Sequence, residues 1–287
     1  MAQTPTSSSQ IDALLQRRHR DARGDAADDS GVTTLLCASG RGGSGTTLLA
    51  ALLAVAAAGE GARVLLVDAD EHVGPLAMLL GVSARASWQD LRGGRVSPTD
   101  VATPVSTTLT LVAGGAARHA TSSAAPMSAA ERRACMRRVG MLSHGMDLVV
   151  IDCGARFDTI SAALAPHAGE RLLAVAAGAD PIGLAATYAL CKAVHARHSA
   201  LPLDVLVNRH EGVEALRCFE AIDAGVRQFL GSTLRFAGAV PTDPTLDAAL
   251  RAGMPFPDAA AGSPAAIAAH DVVMRTLAGT SPTRPGV

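Results

Sequence analysis

Aromatic side chains are scarce in this 287-residue chain: one Trp, one Tyr and five Phe make up 2% of it. Leu, Val, Ile and Ala must therefore fill any core. A stacking surface for single-stranded nucleic acid, which relies on Phe, Tyr and Trp platforms, has little to be built from. Charge of one sign is lacking as well. The net charge is −1, so no overall basic field draws the chain to DNA or to anionic lipid. Cysteine pairs are missing: Cys37, Cys135, Cys153, Cys191 and Cys218 form no C-x-x-C, and five free thiols suit a reducing compartment. No apolar run reaches the roughly 18 residues of a spanning helix, and "MAQTPTSSSQ" has no charged-then-apolar signal pattern. The expectation is a cytoplasmic protein with weak or no membrane contact. Lysine is almost absent, Lys192 being the only one among 25 basic residues.

What is present is a globular composition, 48% hydrophobic and 18% charged. Residues 1–31 are polar and read as a mobile tail, with one short apolar patch, "IDALLQRR" (11–18), that could form a docking helix. From Val32 onward, short apolar runs alternate with longer helical stretches. Strands are expected at 32–38, 63–69, 108–114, 147–153, 171–177, 203–209 and 234–240. Helices are expected at 46–58, 129–143, 182–198 and 213–230. Strands apolar on both faces and separated by crossover helices predict an α/β fold, a doubly wound, mostly parallel sheet with helices on both faces. One domain over 32–278 is expected, followed by a loose tail at 279–287.

The stretch "CASGRGGSGTTLLAALLAV" (37–55) runs from a strand through a Gly-rich loop into a helix. Free N–H groups and the helix dipole at such a point favour an anion, and glycines let the backbone wrap phosphate. The plain alternative is a Gly-rich turn without a ligand. Asp68 and Asp70 follow the second strand, Asp152 ends "LVVID", and Asn208 ends "LDVLVN". In open α/β sheets ligands bind beyond the carboxyl ends of the strands, so these clusters predict one shared site. Asp70 and Asp152 could hold Mg²⁺ or orient a water beside a phosphate, and Thr47 could serve the metal. His195 and His198 have metal spacing but no third ligand nearby, and Cys153 has no identifiable His partner.

"SGRGGSGTT", "VLLVDAD", "VVIDCGA", "VLVNR" and "GAVPTDP" together resemble the MinD/ParA family of deviant-Walker P-loop ATPases, whose loop reads K-G-G-x-G-K-[ST]-[ST]. "DADEHVGPLAMLLGV", "LVAGGAA" and "ADPIGLAATYALCKAV" are most similar to its flagellar-number regulator branch, FlhG (FleN). The resemblance spans nearly all of 32–278. It implies ATP and Mg²⁺ as ligands, with Gly42, Gly43, Ser44, Gly45, Thr46 and Thr47 lining the phosphates. It implies Thr47, Asp70 and Asp152 at the metal. Asp70 falls at the water-activating aspartate, Asp152 at the switch II aspartate, and Arg41 at the signature lysine that reaches a partner's phosphates across an ATP sandwich dimer. Asn208, Arg209, Pro241 and Asp243 fall near the adenine.

Two departures stand out. The P-loop lysine position holds Thr46. The branch's N-terminal motif for stimulating a partner GTPase of the FlhF type is reduced to Gln10 and Leu14 of "SQIDALL". The implied function is an ATP-binding homodimerisation switch that governs flagellar number or placement through protein partners: an FlhF-type GTPase, the flagellar C-ring or a transcription regulator. Loss of the lysine makes hydrolysis weak or absent. The rivals are a non-catalytic scaffold, a cellulose-secretion accessory protein, which also resembles this chain in having R-G-G-x-G-T-T, and a ParA-type partition ATPase, which the near-neutral charge disfavours.

Overall fold

The computed structural model describes residues 32–115, 127–163, 170–178 and 180–278. The expected tails at 1–31 and 279–287, with the proposed docking helix and GTPase-stimulating motif, lie outside these. Eight strands form one sheet in the order β3-β4-β2-β5-β1-β6-β7-β8. The strands are β1 (Thr33–Ser39), β2 (Val64–Asp68), β3 (Ala102–Pro104), β4 (Leu109–Val112), β5 (Leu148–Gly154), β6 (Glu170–Ala177), β7 (Leu203–Asn208) and β8 (Arg235–Val240). All pairings are parallel except that of β3 with β4. The runs "VLLVD" of β2 and "LDVLVN" of β7 are buried throughout. This is what strands covered on both faces require, because each face must be apolar.

Helices cover both faces. On one lie α1 (Thr46–Gly59), α2 (Pro75–Leu79), α7 (Pro244–Arg251), α8 (Phe256–Ala260) and α9 (Pro264–Ala278), with Leu49, Leu53, Leu76, Leu246, Phe256 and Val273 in their core. On the other lie α3 (Ala129–Gly140), α4 (Phe157–Ala163), α5 (Pro181–His195) and α6 (Gly212–Leu230), with Cys135, Ile160, Val194, Phe219 and Val226. Trp88 is fully buried on that second side, where a short 3-10 stretch, Trp88–Gly94, closes the layer. Among the described residues no helix is long and apolar enough to cross a membrane. The last helix, α9, buries Ala269, Val272, Val273 and Leu277 against α1 and β8, so its apolar face belongs to the core.

Seven strands fall where the apolar runs predict them. The eighth, β3, is a three-residue antiparallel edge strand ending in Pro104, too short and too polar to register as a run. The expected helix over 129–143 becomes 3-10 over Met141–Ser143, and that over 182–198 stops at His195. At the edge of the sheet opposite the Gly-rich loop, Asp204 is buried between two arginines from its neighbouring strands. Arg235 Nη2 is 2.6 Å from Asp204 Oδ2 and Arg171 Nη1 is 3.1 Å from it, tying β6, β7 and β8 together. Asp204→Ala would strand both guanidiniums, each about a quarter exposed. It is expected to cost about 2–3 kcal/mol, below the range for a fully buried pair. A lower urea midpoint with an unchanged m-value would be the signature.

Candidate functional site

The chain order reverses at β1, which lies between β5 and β6. The Gly-rich loop leaves its carboxyl end there, at the topological switch point. Gly43 (φ 78°) and Gly45 (φ 85°) adopt left-handed backbone, which an L side chain resists. Ser39 and Ser44 hydroxyls both donate to the Arg41 carbonyl, at 2.9 and 3.0 Å, folding the loop on itself. Asn208 Nδ2 donates to the Ser44 carbonyl at 2.9 Å from the end of β7. A Cβ on Gly45 would sit 2.4 Å from that same nitrogen. Gly45 is the N-cap of α1, with no side chain capping the helix and no acid in its first turn. The loop thus presents a helix N-terminus with no built-in anion, flanked by Gly42 and Gly43, whose Cα atoms face open space. These features fit phosphate oxygens.

The carboxylates converge on the same end of the sheet. Asp68 and Asp152 are partners in the β2–β5 register, both essentially buried. The Thr47 hydroxyl hydrogen-bonds Asp152, and the Gly154 amide donates to Asp152 Oδ1 at 3.0 Å. Asp68 accepts from the Asp70 amide (3.1 Å) and the Leu76 amide (2.9 Å), so it pins the loop that carries Asp70. Asp70 Oδ1 accepts from the amides of His72 (2.7 Å) and Val73 (3.2 Å), and Asp70 lies close enough to Asp152 to raise its pKa. Burial pushes Asp68 up to about 7, with Asp152 adding to the effect against the Leu76 and Asp70 amides. Burial raises Asp152 as well. Among the described residues no three His, Cys, Asp or Glu side chains could hold a metal ion by themselves. A cation beside Thr47 and Asp152 would need phosphate and water oxygens to complete its shell, as Mg²⁺ commonly does.

Thr46, at the expected lysine position, is buried. Arg41 does not point freely outward. Its Nη2 lies 2.7 Å from Asp180 Oδ2, its Nη1 3.2 Å from Oδ1, and Nη2 also donates to the Ala177 carbonyl at 3.4 Å. Asp180 caps α5 by accepting from the Gly183 amide at 2.8 Å. That bond first, and Arg41 with it, hold its carboxyl below the usual range. The Arg41–Asp180 pair escaped the sequence reading. "DP" marks Asp180 as an N-cap before a helix-starting proline, but nothing in the spacing points to Arg41.

The remaining residues border the loop on the β7–β8 side. Arg209, the one non-glycine residue with positive φ (65°) among the described residues, donates its amide to the Val240 carbonyl at 2.7 Å. The Thr242 hydroxyl bonds the Arg209 carbonyl. The segments 208–209 and 241–243 therefore lie side by side. Asp243 is turned inward, its oxygens accepting from the Leu246 and Ala265 amides at 2.9 and 3.1 Å. What it can offer a ligand is support for the loop, since its carboxylate is already engaged. His195 sits near the end of α5, and all five cysteines are free and buried, with burial raising the Cys153 thiol well above its ordinary value.

Residues 35–256 match the model of the CobQ/CobB/MinD/ParA nucleotide binding domain. The chain belongs to this family. It is 27% identical over 259 residues to the antiactivator FleN of Pseudomonas aeruginosa, covering 88% of this chain and 89% of that protein. Among solved structures it superposes on the septum site-determining protein MinD of Pyrococcus horikoshii, complexed with Mg-ADP. There the TM-score is 0.67 at 20% identity, over 84% of this chain and 94% of that one. The MinC:MinD complex of Aquifex aeolicus gives 0.68 at 20% identity, over 88% and 98%. These structural likenesses confirm the fold, a doubly wound P-loop architecture of the MinD/ParA kind.

The raised Asp68 value carries a pH signature. Between its ordinary 3.8 and about 7 the unfolded chain has lost this proton while the folded chain keeps it. Stability therefore falls as pH rises through that window and levels off above it, by at most about 1.4 kcal/mol per pH unit. Asp152 contributes with the same sign. Urea titrations from pH 5 to pH 8 without divalent cation should show the decline, and Asp68→Asn should flatten most of it.

Proposed function

We propose that this protein is an ATP-binding dimerisation switch of the MinD/ParA type that regulates flagellar number or placement through protein partners and turns ATP over slowly or not at all. The observation that carries the reading is the loop itself. A phosphate cradle with left-handed glycines and an uncapped helix N-terminus sits intact beside Thr47 and Asp152, while a buried threonine occupies the place of the catalytic lysine. The similarity to an antiactivator supports a regulatory role exercised on other proteins.

In this reading the amides of residues 42–47 hold the phosphates, Thr47 and Asp152 hold Mg²⁺, and Asp70 orients water. Asn208, Arg209 and the 241–243 segment border the base. Bound Mg²⁺ would neutralise phosphate charge. Thr46 supplies no cation for the charge that develops as the γ-phosphoryl leaves, and removing one such stabiliser commonly slows a reaction by about 10²–10³. Binding, which rests on backbone amides and the metal, survives that loss. Arg41, at the position of the family's signature lysine, would reach a partner's phosphates in a homodimer, and its guanidinium suits a phosphate.

Calorimetric titration with Mg·ATP, with mass followed by light scattering, tests the reading. The wild type should bind and dimerise with little phosphate release. Thr46→Lys should raise hydrolysis at least about tenfold with a smaller change in affinity. Neither binding nor dimerisation by the wild type at saturating nucleotide would leave the fold as a scaffold and end the proposal. A second expectation follows from Arg41. To reach across a dimer it must leave Asp180, and exposed pairs of this kind hold weakly. Asp180→Asn keeps an oxygen for the Gly183 amide but removes the charge, so it should raise the ATP-dependent dimer constant by a small factor, about two- to fivefold. A fall would mean that Asp180 acts in the dimer itself.

A further inference from the structure

Arg132, on α3, is the most buried arginine or lysine among the described residues, 8% exposed. Its guanidinium grips Glu71 in a two-pronged pair: Nε meets Glu71 Oε1, and Nη2 donates to Oε2 at 3.2 Å. Nη2 also donates to the Met127 carbonyl at 3.3 Å, and Nη1 lies 3.6 Å from Asp158 Oδ2. Asp158 is bonded in turn by Arg156 Nη2 at 3.2 Å, and Arg156 Nη1 lies 3.0 Å from His72 Nε2. The five side chains form a chain of contacts, Glu71 to Arg132 to Asp158 to Arg156 to His72, and the backbone joins its two ends into a ring because Glu71 and His72 are adjacent residues. Glu71 and His72 directly follow Asp70. Arg156 stands on the turn that follows Asp152, and Asp158 lies in the first turn of α4 just beyond it. Gln89 Nε2 donates to the Glu71 carbonyl at 2.8 Å and fixes the same loop from a third direction.

The docking of α3 does not depend on this pair. The helix has its own capping box from Ser128 and Glu131, buries Cys135, Met136 and Val139, and anchors to the neighbouring layer through Arg138, which donates to the Leu91 and Val96 carbonyls. Burying a guanidinium is costly unless a matched carboxylate meets it. Here the match is made with a residue of the loop that carries Asp70, and the second carboxylate within reach opens α4, directly after the turn that follows Asp152.

We propose that Arg132 is a positioning residue that couples the two carboxylate-bearing loops of the nucleotide site to each other and to α3, so that engagement of one loop sets the position of the other. The inference rests on the nucleotide-binding reading for its consequence, though the coupling itself is a property of the free protein.

Hydrogen exchange on the full chain separates the two. In the absence of ligand, Arg132→Gln and Glu71→Gln should each speed exchange in both 70–76 and 153–160 by about threefold or more. Val139→Ala, which loosens α3 without touching the ring, should affect the helix alone. The double variant Arg132→Gln/Glu71→Gln should match Arg132→Gln alone, because losing the guanidinium already breaks the Glu71 contact. Should Arg132→Gln fail to fold, Glu71→Gln, which keeps the side-chain shape, decides the outcome. Unchanged exchange at 153–160, or a Val139→Ala variant that loosens both loops equally, would overturn the coupling. A fluorescent ADP analogue titrated with Mg²⁺ and with EDTA gives the functional arm. Arg132→Gln should lose at least about fivefold of the Mg²⁺-dependent gain in affinity while its affinity in EDTA stays that of the wild type. Equal losses in both conditions would make Arg132 merely structural. If the wild type binds no nucleotide in either condition, the nucleotide reading fails and the exchange results still judge the coupling.

Discussion

The contact on which the site depends is the hydrogen bond from Asn208 to the Ser44 carbonyl. It reaches from the end of β7 to the loop after β1 and holds that loop where its amides face outward from the sheet. Gly45 must be a glycine twice over, for its left-handed backbone and because a Cβ would strike Asn208. With the loop fixed there, α1 starts without a side-chain cap. Its first turn brings Thr47 to Asp152, and Asp152 faces Asp68 across the β2–β5 register. A helix N-terminus on one side and a buried pair of carboxyls on the other leave a gap suited to an anion and a cation together.

The parts of this arrangement that come from periodicity were legible in the residues. Near-continuous apolar runs marked the strands because a parallel sheet is covered on both faces, and the Gly-rich loop between a strand and a helix marked the phosphate end. The contacts that give the site its fine structure were not. Arg41 and Asp180 are 139 residues apart, and Glu71 and Arg132 are 61 apart. No spacing rule relates such positions, because their meeting is decided by which strands neighbour β1 and by how α3 lies over β2. Asn208 was legible as a candidate by its place at a strand end, and Asp243 only through the family resemblance. Their actual use, bracing a loop and capping α7, depends on hydrogen-bond directions that only the folded backbone sets.

Thr46 changes the electrostatics of the site more than its size suggests. Three carboxyls, Asp68, Asp70 and Asp152, stand near the loop, and the lysine that would balance them is absent. The positive groups near the loop include the amides at the start of α1 and Arg41, whose charge is drawn aside by Asp180, while Arg156 lies near Asp70 and is itself paired with Asp158. A site so weighted would hold phosphate more strongly with a cation beside Asp152 than without one. Burial already meets part of the same problem by pushing Asp68 up to about 7, with the neighbouring Asp152 adding to the effect. A divalent ion bound beside Asp152 would relieve that pair and attract phosphate in one step. On the nucleotide-binding reading, a threonine at position 46 would leave to the metal a share of the attraction that a lysine-bearing loop provides by itself.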